Sequence, residues 1–156
     1  MPAEPAAMSR DELKARALRS LAQREHSRAE LARKLAAHGE PDAVEAVLDR
    51  MGELGLQSDA RFAESYVRSR AERLGGRRIQ HELAQRGVDP ETIDAALASE
   101  LGEPELARAR AVWARKFGQL PADAKDWARQ ARFLTARGFA AEVVRKVLKE
   151  PFDESA

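Results

Sequence analysis

Hydrophobic positions recur along most of this chain at the spacing of one face of an α-helix. Apolar residues three or four positions apart are separated by charged and amide side chains, and β-branched or aromatic clusters with period two are absent. Ala, Leu, Arg, Glu and Lys, which favour helices, dominate the composition. The pattern therefore predicts an all-α protein.

Helix-start signals divide this pattern into short segments. Ser9 and Ser27 are each followed three residues later by a glutamate, which predicts capping boxes at two helix starts. Pro41 and Pro90 fit first-turn positions, where proline costs no hydrogen bond, and Asp89 is the expected N-cap of the second of these helices.

A local motif, in which a leucine is followed four residues later by a glycine, occurs three times. The leucines are 48 and 51 residues apart, and one amphipathic segment precedes each motif while another follows it. Each glycine is expected to end a helix in the left-handed conformation, which glycine tolerates best. The repeat predicts three helices per unit and three units in tandem. The motif pairs are Leu35 with Gly39, Leu83 with Gly87, and Leu134 with Gly138.

We therefore expect an elongated tandem array of three three-helix modules, with helix-turn-helix-like repeats. Each module should close a small core of its own and then pack on its neighbour. The predicted ranges are a disordered N-terminus at 1–8, modules at 9–57, 58–102 and 103–150, and an acidic tail at 151–156.

Charge follows the same repeat although the whole chain is almost neutral. Lys plus Arg is 27 and Asp plus Glu is 26, and this balance alone gives no reason to expect a nucleic-acid binder. Residues 14–34 and 60–87 sum to +5 and +4, whereas 35–59 and 88–105 sum to −5 and −6. The first two helices of modules 1 and 2 are thus basic and the third is acidic. Residues 106–149, which sum to +8, depart from this rule.

Two interpretations of the basic helices remain open. Arginines on Ala/Glu-rich helices often only solubilise an exposed face. Alternatively, basic helices on one side of the array would form positive patches that face a long polyanion or a protein surface with repeating acidic features.

Several kinds of chemistry find no support. The chain has no cysteine, which excludes disulfides and thiol catalysis, and no apolar run approaches the roughly 20 residues of a membrane helix. No nucleophile, base and orienting group can be placed together, and the histidines lack ligand spacing. We expect a soluble cytoplasmic protein that is not an enzyme and uses no cofactor or metal.

Two conspicuous motifs have structural interpretations. Gly75-Gly76 is expected to be a hinge or helix break, because no strand or P-loop pattern accompanies it. The aromatic residues of module 3 fall at helical spacing that suits its core better than base stacking: Trp113, Phe117, Trp127 and Phe133.

Three stretches together resemble the RecX family of proteins, which modulate the bacterial recombinase RecA. They are LAQREHSRAELARKL in module 1, SDARFAESYVRSRAERLGGRRIQHELAQRGV in module 2 and ARKFGQLPADAKDWARQARFLTARGF in module 3. The likeness spans about residues 14–149 with the order and spacing of all three parts retained. Two linkers depart from the family: 56–59 lacks the frequent aromatic followed by two acids, and Gly76-Arg77 replaces a frequent Gly-Pro.

The resemblance implies a regulatory protein, a monomer by default, that binds RecA and its filament on single-stranded DNA, with weak direct contact to the strand. Family members restrain filament growth, ATP hydrolysis and strand exchange in recombinational DNA repair, and they carry no catalytic residues. Carried onto this chain, the family's basic segments point to these contact residues: Arg24, Arg28, Lys34, Arg68, Arg70, Arg73, Arg77, Arg78, Arg115, Lys116, Arg132 and Arg137.

Two other classes of function remain as alternatives. Three-helix units with a basic helix can enter a DNA major groove, so a helix-turn-helix-type DNA-binding protein is the main competitor. The acidic third helix in two of the three modules weighs against it, since that helix would be the usual one to contact bases. A passive scaffold is the third possibility.

Overall fold

A computed structural model of the chain describes residues 6–149. Most of the predicted N-terminal segment, residue 150 and the predicted acidic tail lie outside the described residues. Between residues 6 and 149 the chain forms nine helices and no strand, which confirms the all-α prediction. The helices are α1 (Arg10–Gln23), α2 (Arg28–Ala36), α3 (Pro41–Glu53), α4 (Asp59–Arg70), α5 (Gly76–Gln85), α6 (Pro90–Glu100), α7 (Glu105–Lys116), α8 (Ala124–Ala136) and α9 (Ala141–Leu148).

The predicted helix starts are confirmed at the atomic level. Ser9 and Ser27 each accept a hydrogen bond from the glutamate N–H three residues on, and each glutamate carboxylate accepts one from the serine N–H. Pro41 and Pro90 occupy first-turn positions, and Asp89 caps α6 through the N–H of the third helical residue. Local sequence thus sets where these helices begin.

Each set of three consecutive helices encloses its own apolar core. One cluster of buried side chains belongs to α1, α2 and α3, one to α4, α5 and α6 with their connecting loops, and one to α7, α8 and α9 with theirs. This arrangement confirms the tandem of three modules, whose finer boundaries remain predictions. The largest fully buried side chains include Leu13, Leu31 and Leu35 in module 1, Ile79, Leu83 and Ile93 in module 2, and Leu134, Phe139 and Leu148 in module 3.

The three turn glycines do not behave alike. Gly87 and Gly138 have φ of 82° and 96°, so the predicted left-handed helix ends are confirmed there. The prediction is wrong for Gly39, which does not have a positive φ. A β-carbon at Gly39 would lie 2.6 Å from Cδ1 of Leu13, so the glycine here makes room for a core leucine.

Modules 1 and 2 meet at the start of α2. The Ser27 hydroxyl donates to the Arg86 carbonyl at 2.7 Å, and the Arg28 N–H donates to the Asp59 carboxylate at 2.8 Å. One unpaired N–H at the start of α2 and the hydroxyl of its N-cap serine are thereby satisfied by the next module.

Modules 2 and 3 meet in the same way at the start of α5. The Gly75 N–H donates to the Arg137 carbonyl at 2.7 Å, and the Gly76 N–H donates to the Glu105 carboxylate at 2.9 Å. Arg137 precedes its turn glycine as Arg86 does, and Glu105 begins the first helix of its module as Asp59 does. The two junctions are therefore repeats of one contact.

The glycine pair is a packing element of this second junction. Gly75 is buried, and a β-carbon there would lie 2.4 Å from the Gly138 carbonyl oxygen. The break between α4 and α5 predicted from the sequence is present, and its glycines allow two backbones to touch.

A buried arginine also ties module 3 to module 2. Arg108 is only 8% exposed, and its guanidinium donates to the carbonyls of Ala71 at 3.0 Å and of Leu74. Burial lowers the pKa of Arg108 from its ordinary value. The guanidinium closes the end of α4 by satisfying carbonyls that lie beyond its last turn.

In module 1, the segment before α1 makes the contact that modules 2 and 3 receive from the module before them. The Met8 N–H donates to the His38 carbonyl at 2.7 Å, and His38 precedes its turn glycine as Arg86 and Arg137 precede theirs. Within the described part of the chain, no helix is both long and apolar enough to cross a bilayer.

Candidate interaction grooves

A groove lies along the first helix of every module. We call these grooves 1, 2 and 3, with volumes of about 380, 240 and 230 Å³. Groove 1 is lined by Arg16, Arg19, Ser20, Gln23 and Lys34; groove 2 by Arg24, Glu25, Glu30, Phe62, Ser65, Tyr66, Ser69, Arg70 and Arg86; groove 3 by Arg73, Val112, Arg115, Lys116, Phe133 and Arg137.

The grooves occupy equivalent places in the repeat. Four lining residues of groove 2 follow four of groove 1 by 46 positions, and three of groove 3 follow three of groove 2 by the same interval. The second helix contributes Lys34 to groove 1 and Phe133 to groove 3, each five residues before its turn glycine. The array thus presents the same concave feature three times.

Groove 1 is lined only by cationic and neutral polar side chains. Arg16 and Arg19 form no salt bridge within residues 6–149, and no carboxylate belongs to the lining. The Lys34 ammonium lies 2.8 Å from Nε2 of His26. Groove 1 therefore concentrates positive charge without an internal counter-ion.

The histidine that contacts Lys34 of groove 1 is fully buried. Because Nε2 of His26 faces the Lys34 ammonium, we assign the proton to Nδ1, which lies 3.0 Å from the Arg24 carbonyl and donates to it. Burial, followed by the positive charges of Arg24 and Lys34, lowers the pKa of His26 from its ordinary value.

Groove 2 places two arginines over one aromatic ring. The guanidinium carbons of Arg70 and Arg86 lie 3.9 and 4.8 Å from the ring centroid of Tyr66. The Tyr66 hydroxyl donates to Glu82 at 2.5 Å, and Glu82 also pairs with Arg78 at 3.0 Å. Burial alone would raise the pKa of Glu82, but the hydrogen bond from Tyr66 and the pairing with Arg78 lower it. Glu82 also lies 3.7 Å from Arg70, so one arginine of groove 2 is partly compensated within the module.

Groove 3 combines a positive rim with an apolar floor. The Lys116 ammonium and the Arg137 guanidinium lie 5.4 and 4.9 Å from the ring centroid of Phe133. Phe117 contacts the same ring edge to face at 5.3 Å. Val112 completes the apolar floor, and no carboxylate belongs to the lining. This groove suits an anionic ligand that also offers apolar surface.

Seven of the twelve cations predicted from the sequence line these grooves. Their carbon stems and charges are brought together by helix packing that the sequence pattern alone does not specify. Lys34 lies in groove 1, Arg24 and Arg70 in groove 2, and Arg73, Arg115, Lys116 and Arg137 in groove 3.

Two of the other predicted cations are paired with acidic third helices. The Arg28 guanidinium lies 2.7 Å from Glu45 and 2.8 Å from Asp49 of α3. Arg68 lies 3.0 Å from Glu100 of α6. The acidic helices therefore neutralise part of the basic surface, and exposed pairs of this kind contribute little to stability.

The remaining three lie at or beyond the second junction. Arg78 donates to the Ala136 carbonyl at 3.1 Å, and its β-carbon faces Gly138, so it takes part in module packing. Arg77 and Arg132 are exposed and form no salt bridge within residues 6–149.

The sequence reasoning missed many groove residues, among them three arginines and a tyrosine. Arg86 was available from the repeat, since it precedes its turn glycine as Arg137 does. Arg16 and Arg19 were available from helical phase, since they share the face of α1 with Gln23. Tyr66 gave no such signal, because only the fold places Arg70 and Arg86 over its ring.

Comparisons with known proteins cover all three modules. Family profiles described as the first, second and third three-helix domains of RecX match residues 14–51, 58–97 and 103–148. A protein named regulatory protein RecX from Leptothrix cholodnii is 54% identical over 138 residues, which are 88% of this chain and 87% of that protein. One of the same name from Chromobacterium violaceum is 47% identical over 143 residues, 91% and 92% of the two chains.

A solved structure shares the fold. The crystal structure of RecX from Lactobacillus salivarius superposes with a TM-score of 0.77 at 20% identity, covering 90% of this chain and 95% of that one. The tandem of three-helix modules is thus an architecture that a distant relative also adopts.

Proposed function

This chain belongs to the RecX family of regulatory proteins, and from that premise we propose that it binds RecA and the RecA filament on single-stranded DNA. Binding restrains filament growth, ATP hydrolysis and strand exchange. The observation that carries the proposal is the repetition of one cation-bearing groove in all three modules.

A repeated groove matches a repeated partner. Each module of about 50 residues has a diameter of roughly 20 to 25 Å on compact-domain scaling, so three in tandem span about 60 to 75 Å. Such a body can contact neighbouring subunits of a helical filament. Contacts that are weak individually add through avidity, so the assembled filament is preferred over a free subunit.

Bridging neighbouring subunits supplies the mechanism of restraint. A molecule that couples subunits and leaves the next one unable to dock halts extension with few copies bound. The immediate check is affinity for monomeric and filamentous RecA measured side by side. Tighter binding to the monomer would remove the bridging mechanism.

The residues are tested best at groove 3. Arg73 and Lys116 are exposed groove cations, so the pair Arg73→Glu and Lys116→Glu reverses charge without touching a core. Arg110 and Lys125 are exposed residues outside the grooves, on the helices that frame groove 3, and their reversal to Glu is the matched control. Arg78 is unsuitable because its guanidinium and β-carbon belong to the second junction.

The readout is single-stranded-DNA-dependent ATP hydrolysis by purified RecA. We expect the wild type and the control pair to inhibit hydrolysis and the groove 3 pair to lose most inhibition, with unchanged helicity by circular dichroism. Retained inhibition by the groove 3 pair would move the contact surface elsewhere, and no effect of the wild type would support the passive scaffold.

Direct major-groove recognition by a helix-turn-helix is less consistent with the charge distribution. The third helices of modules 1 and 2 carry Glu45, Asp49 and Glu100, which already pair with arginines of their own module. A protein that acts directly on duplex DNA would bind naked duplex tightly and lose affinity steeply with salt. Tight, strongly salt-dependent binding to duplex without RecA would favour that alternative.

A further inference from the structure

We propose that groove 1 is a phosphate-binding site for a single nucleic-acid strand, an inference that rests on the proposed function for its setting, a filament formed on single-stranded DNA. The ligand class is the phosphodiester backbone, contacted without reference to base sequence. The site is composed of Arg16, Arg19, Ser20, Gln23 and Lys34.

The donors of groove 1 form a straight row. Arg19, Ser20 and Gln23 follow Arg16 by three, four and seven residues, which places all four along one face of α1. At 1.5 Å per residue the row is about 10 Å long, enough for two or three successive phosphates. Lys34 approaches the row from α2.

The charge of this row is available to a ligand. Arg16 and Arg19 have no salt-bridge partner within residues 6–149, and the polar atom closest to the Lys34 ammonium is a ring nitrogen of His26. Three positive charges, a hydroxyl and an amide therefore converge with no carboxylate among them. Guanidinium and ammonium groups with hydroxyl and amide donors are the usual contacts to phosphate oxygens.

The other two grooves are less suited to a bare phosphate chain. Groove 2 includes the carboxylates of Glu25 and Glu30, which would repel phosphates. Groove 3 has an apolar floor that a phosphodiester chain would leave unused. Their aromatic rings already contact cations, Arg70 and Arg86 at Tyr66 and Lys116 and Arg137 at Phe133, so a stacking base would compete with those contacts.

The expected binding is weak and sequence-independent. For a single strand, each phosphate contact adds a slope of about −0.7 to the plot of log affinity against log salt concentration. One contact is therefore worth about a 2.6-fold loss of affinity between 50 and 200 mM salt, and two contacts about sevenfold. A site with two or three phosphates gives a correspondingly shallow dependence.

The experiment measures binding to a fluorescently labelled oligo-dT by anisotropy, with no recombinase present, across 50 to 200 mM salt. We expect the variant Arg16→Gln with Arg19→Gln to lower the magnitude of the slope by about 1.4. The control Arg110→Gln with Lys125→Gln removes the same charge from exposed positions outside the grooves and is expected to keep the slope.

Two further measurements keep the outcome interpretable. The variant Arg16→Lys with Arg19→Lys keeps the charge and is expected to keep most of the slope, and Arg19→Gln alone serves if the double variant does not fold. An unchanged slope in the Gln pair, an equal loss in the control, or equally effective competition by poly-glutamate would overturn the phosphate assignment.

This test is separate from that of the proposed function. Inhibition of RecA by the wild type together with an unchanged oligo-dT slope in the Gln pair would remove groove 1 and leave the proposed function standing. No inhibition of RecA by the wild type, together with the expected loss of slope, would remove the proposed function and leave the phosphate site.

Discussion

Replacing Gly87 with alanine tests the junction on which the array depends. Gly87 has φ of 82°, and a β-carbon there would lie 2.4 Å from the β-carbon of Ala29 in the neighbouring module. The Ala29 methyl is fixed to the backbone of α2 and has no rotamer into which it can retreat. The two modules must therefore separate or the chain must strain.

The loss in free energy of unfolding caused by Gly87→Ala has two parts, and alanine substitutions at two other glycines can separate them. The left-handed backbone costs an alanine about 1 to 2 kcal/mol, and overpacking a closed contact costs about 1 to 3 kcal/mol, so Gly87→Ala should lose about 2 to 5 kcal/mol. Gly55 has φ of 71° with no atom within 4 Å of its virtual β-carbon, so Gly55→Ala should lose only the backbone part. Gly52 is helical and equally open, and Gly52→Ala should stabilise by about 0.4 to 1 kcal/mol.

A double-mutant cycle isolates the contact across the junction. Ala29→Gly removes the opposing methyl, so combining it with Gly87→Ala should recover the overpacking part, a coupling of about 1 to 3 kcal/mol. Unfolding in urea is followed by circular dichroism for all helices and by fluorescence of Trp113 and Trp127, which lie in module 3. If the two probes give different unfolding transitions, a two-state fit does not apply, and the curves are fitted with a nearest-neighbour model for tandem repeats.

Two outcomes would refute this reasoning. One is a decrease in the free energy of unfolding for Gly87→Ala that is no larger than the decrease for Gly55→Ala, which would mean that the junction accommodates the added methyl group without overpacking. The other is a cycle that is additive within about 0.5 kcal/mol, which would mean that the two residues do not interact.

Two further predictions concern the buried side chains of Arg108 and His26. Arg108→Leu should lower the free energy of unfolding by about 2 to 4 kcal/mol, because the Ala71 and Leu74 carbonyls lose their donor; an unchanged urea midpoint would contradict this. Burial lowers the pKa of His26 in the folded protein. As pH falls below about 6.5, the unfolded chain therefore takes up a proton on this histidine before the folded protein does. The contribution of the neutral His26 to the free energy of unfolding is complete above that pH and declines as pH falls toward the folded-state pKa. His26→Gln should reduce the pH dependence of the melting temperature between pH 5 and 7, whereas the exposed control His81→Gln should not. Parallel plots of melting temperature against pH for the wild type and both variants would contradict this role of His26.

Features fixed by neighbouring residues could be predicted from the sequence. Ser9 and Ser27 cap their helices as expected because a capping box needs only four consecutive residues. Gly39 shows the limit of this logic, since it lacks the left-handed conformation and instead leaves space for Leu13, 26 positions away in the sequence. The repeat identified three equivalent glycines, and the rule that glycine ends a helix in the left-handed conformation accounts for two of them, Gly87 and Gly138.

Contacts between modules could not be predicted in the same way. The bond from Ser27 to Arg86 spans 59 positions, and periodicity fixes the faces of helices without saying which faces meet. For the same reason, the sequence could not show which predicted cations line a groove and which pair with a carboxylate of another helix. Arg28 is consumed by Glu45 and Asp49 of another helix, whereas Arg73 lines a groove, and both look alike as arginines on a basic segment.

The position five residues before the turn glycine determines what each groove can bind. Lys34 there adds a third positive charge to groove 1, Glu82 pairs with Arg70 and accepts a hydrogen bond from the Tyr66 hydroxyl beside groove 2, and Phe133 gives groove 3 its apolar floor. Because the surrounding backbone contacts repeat at both junctions, these side chains can differ without altering how the modules stack. Under the proposed function, the filament offers both phosphates and protein surface along one path, and an array with three chemically distinct grooves would engage them together only while that filament is assembled.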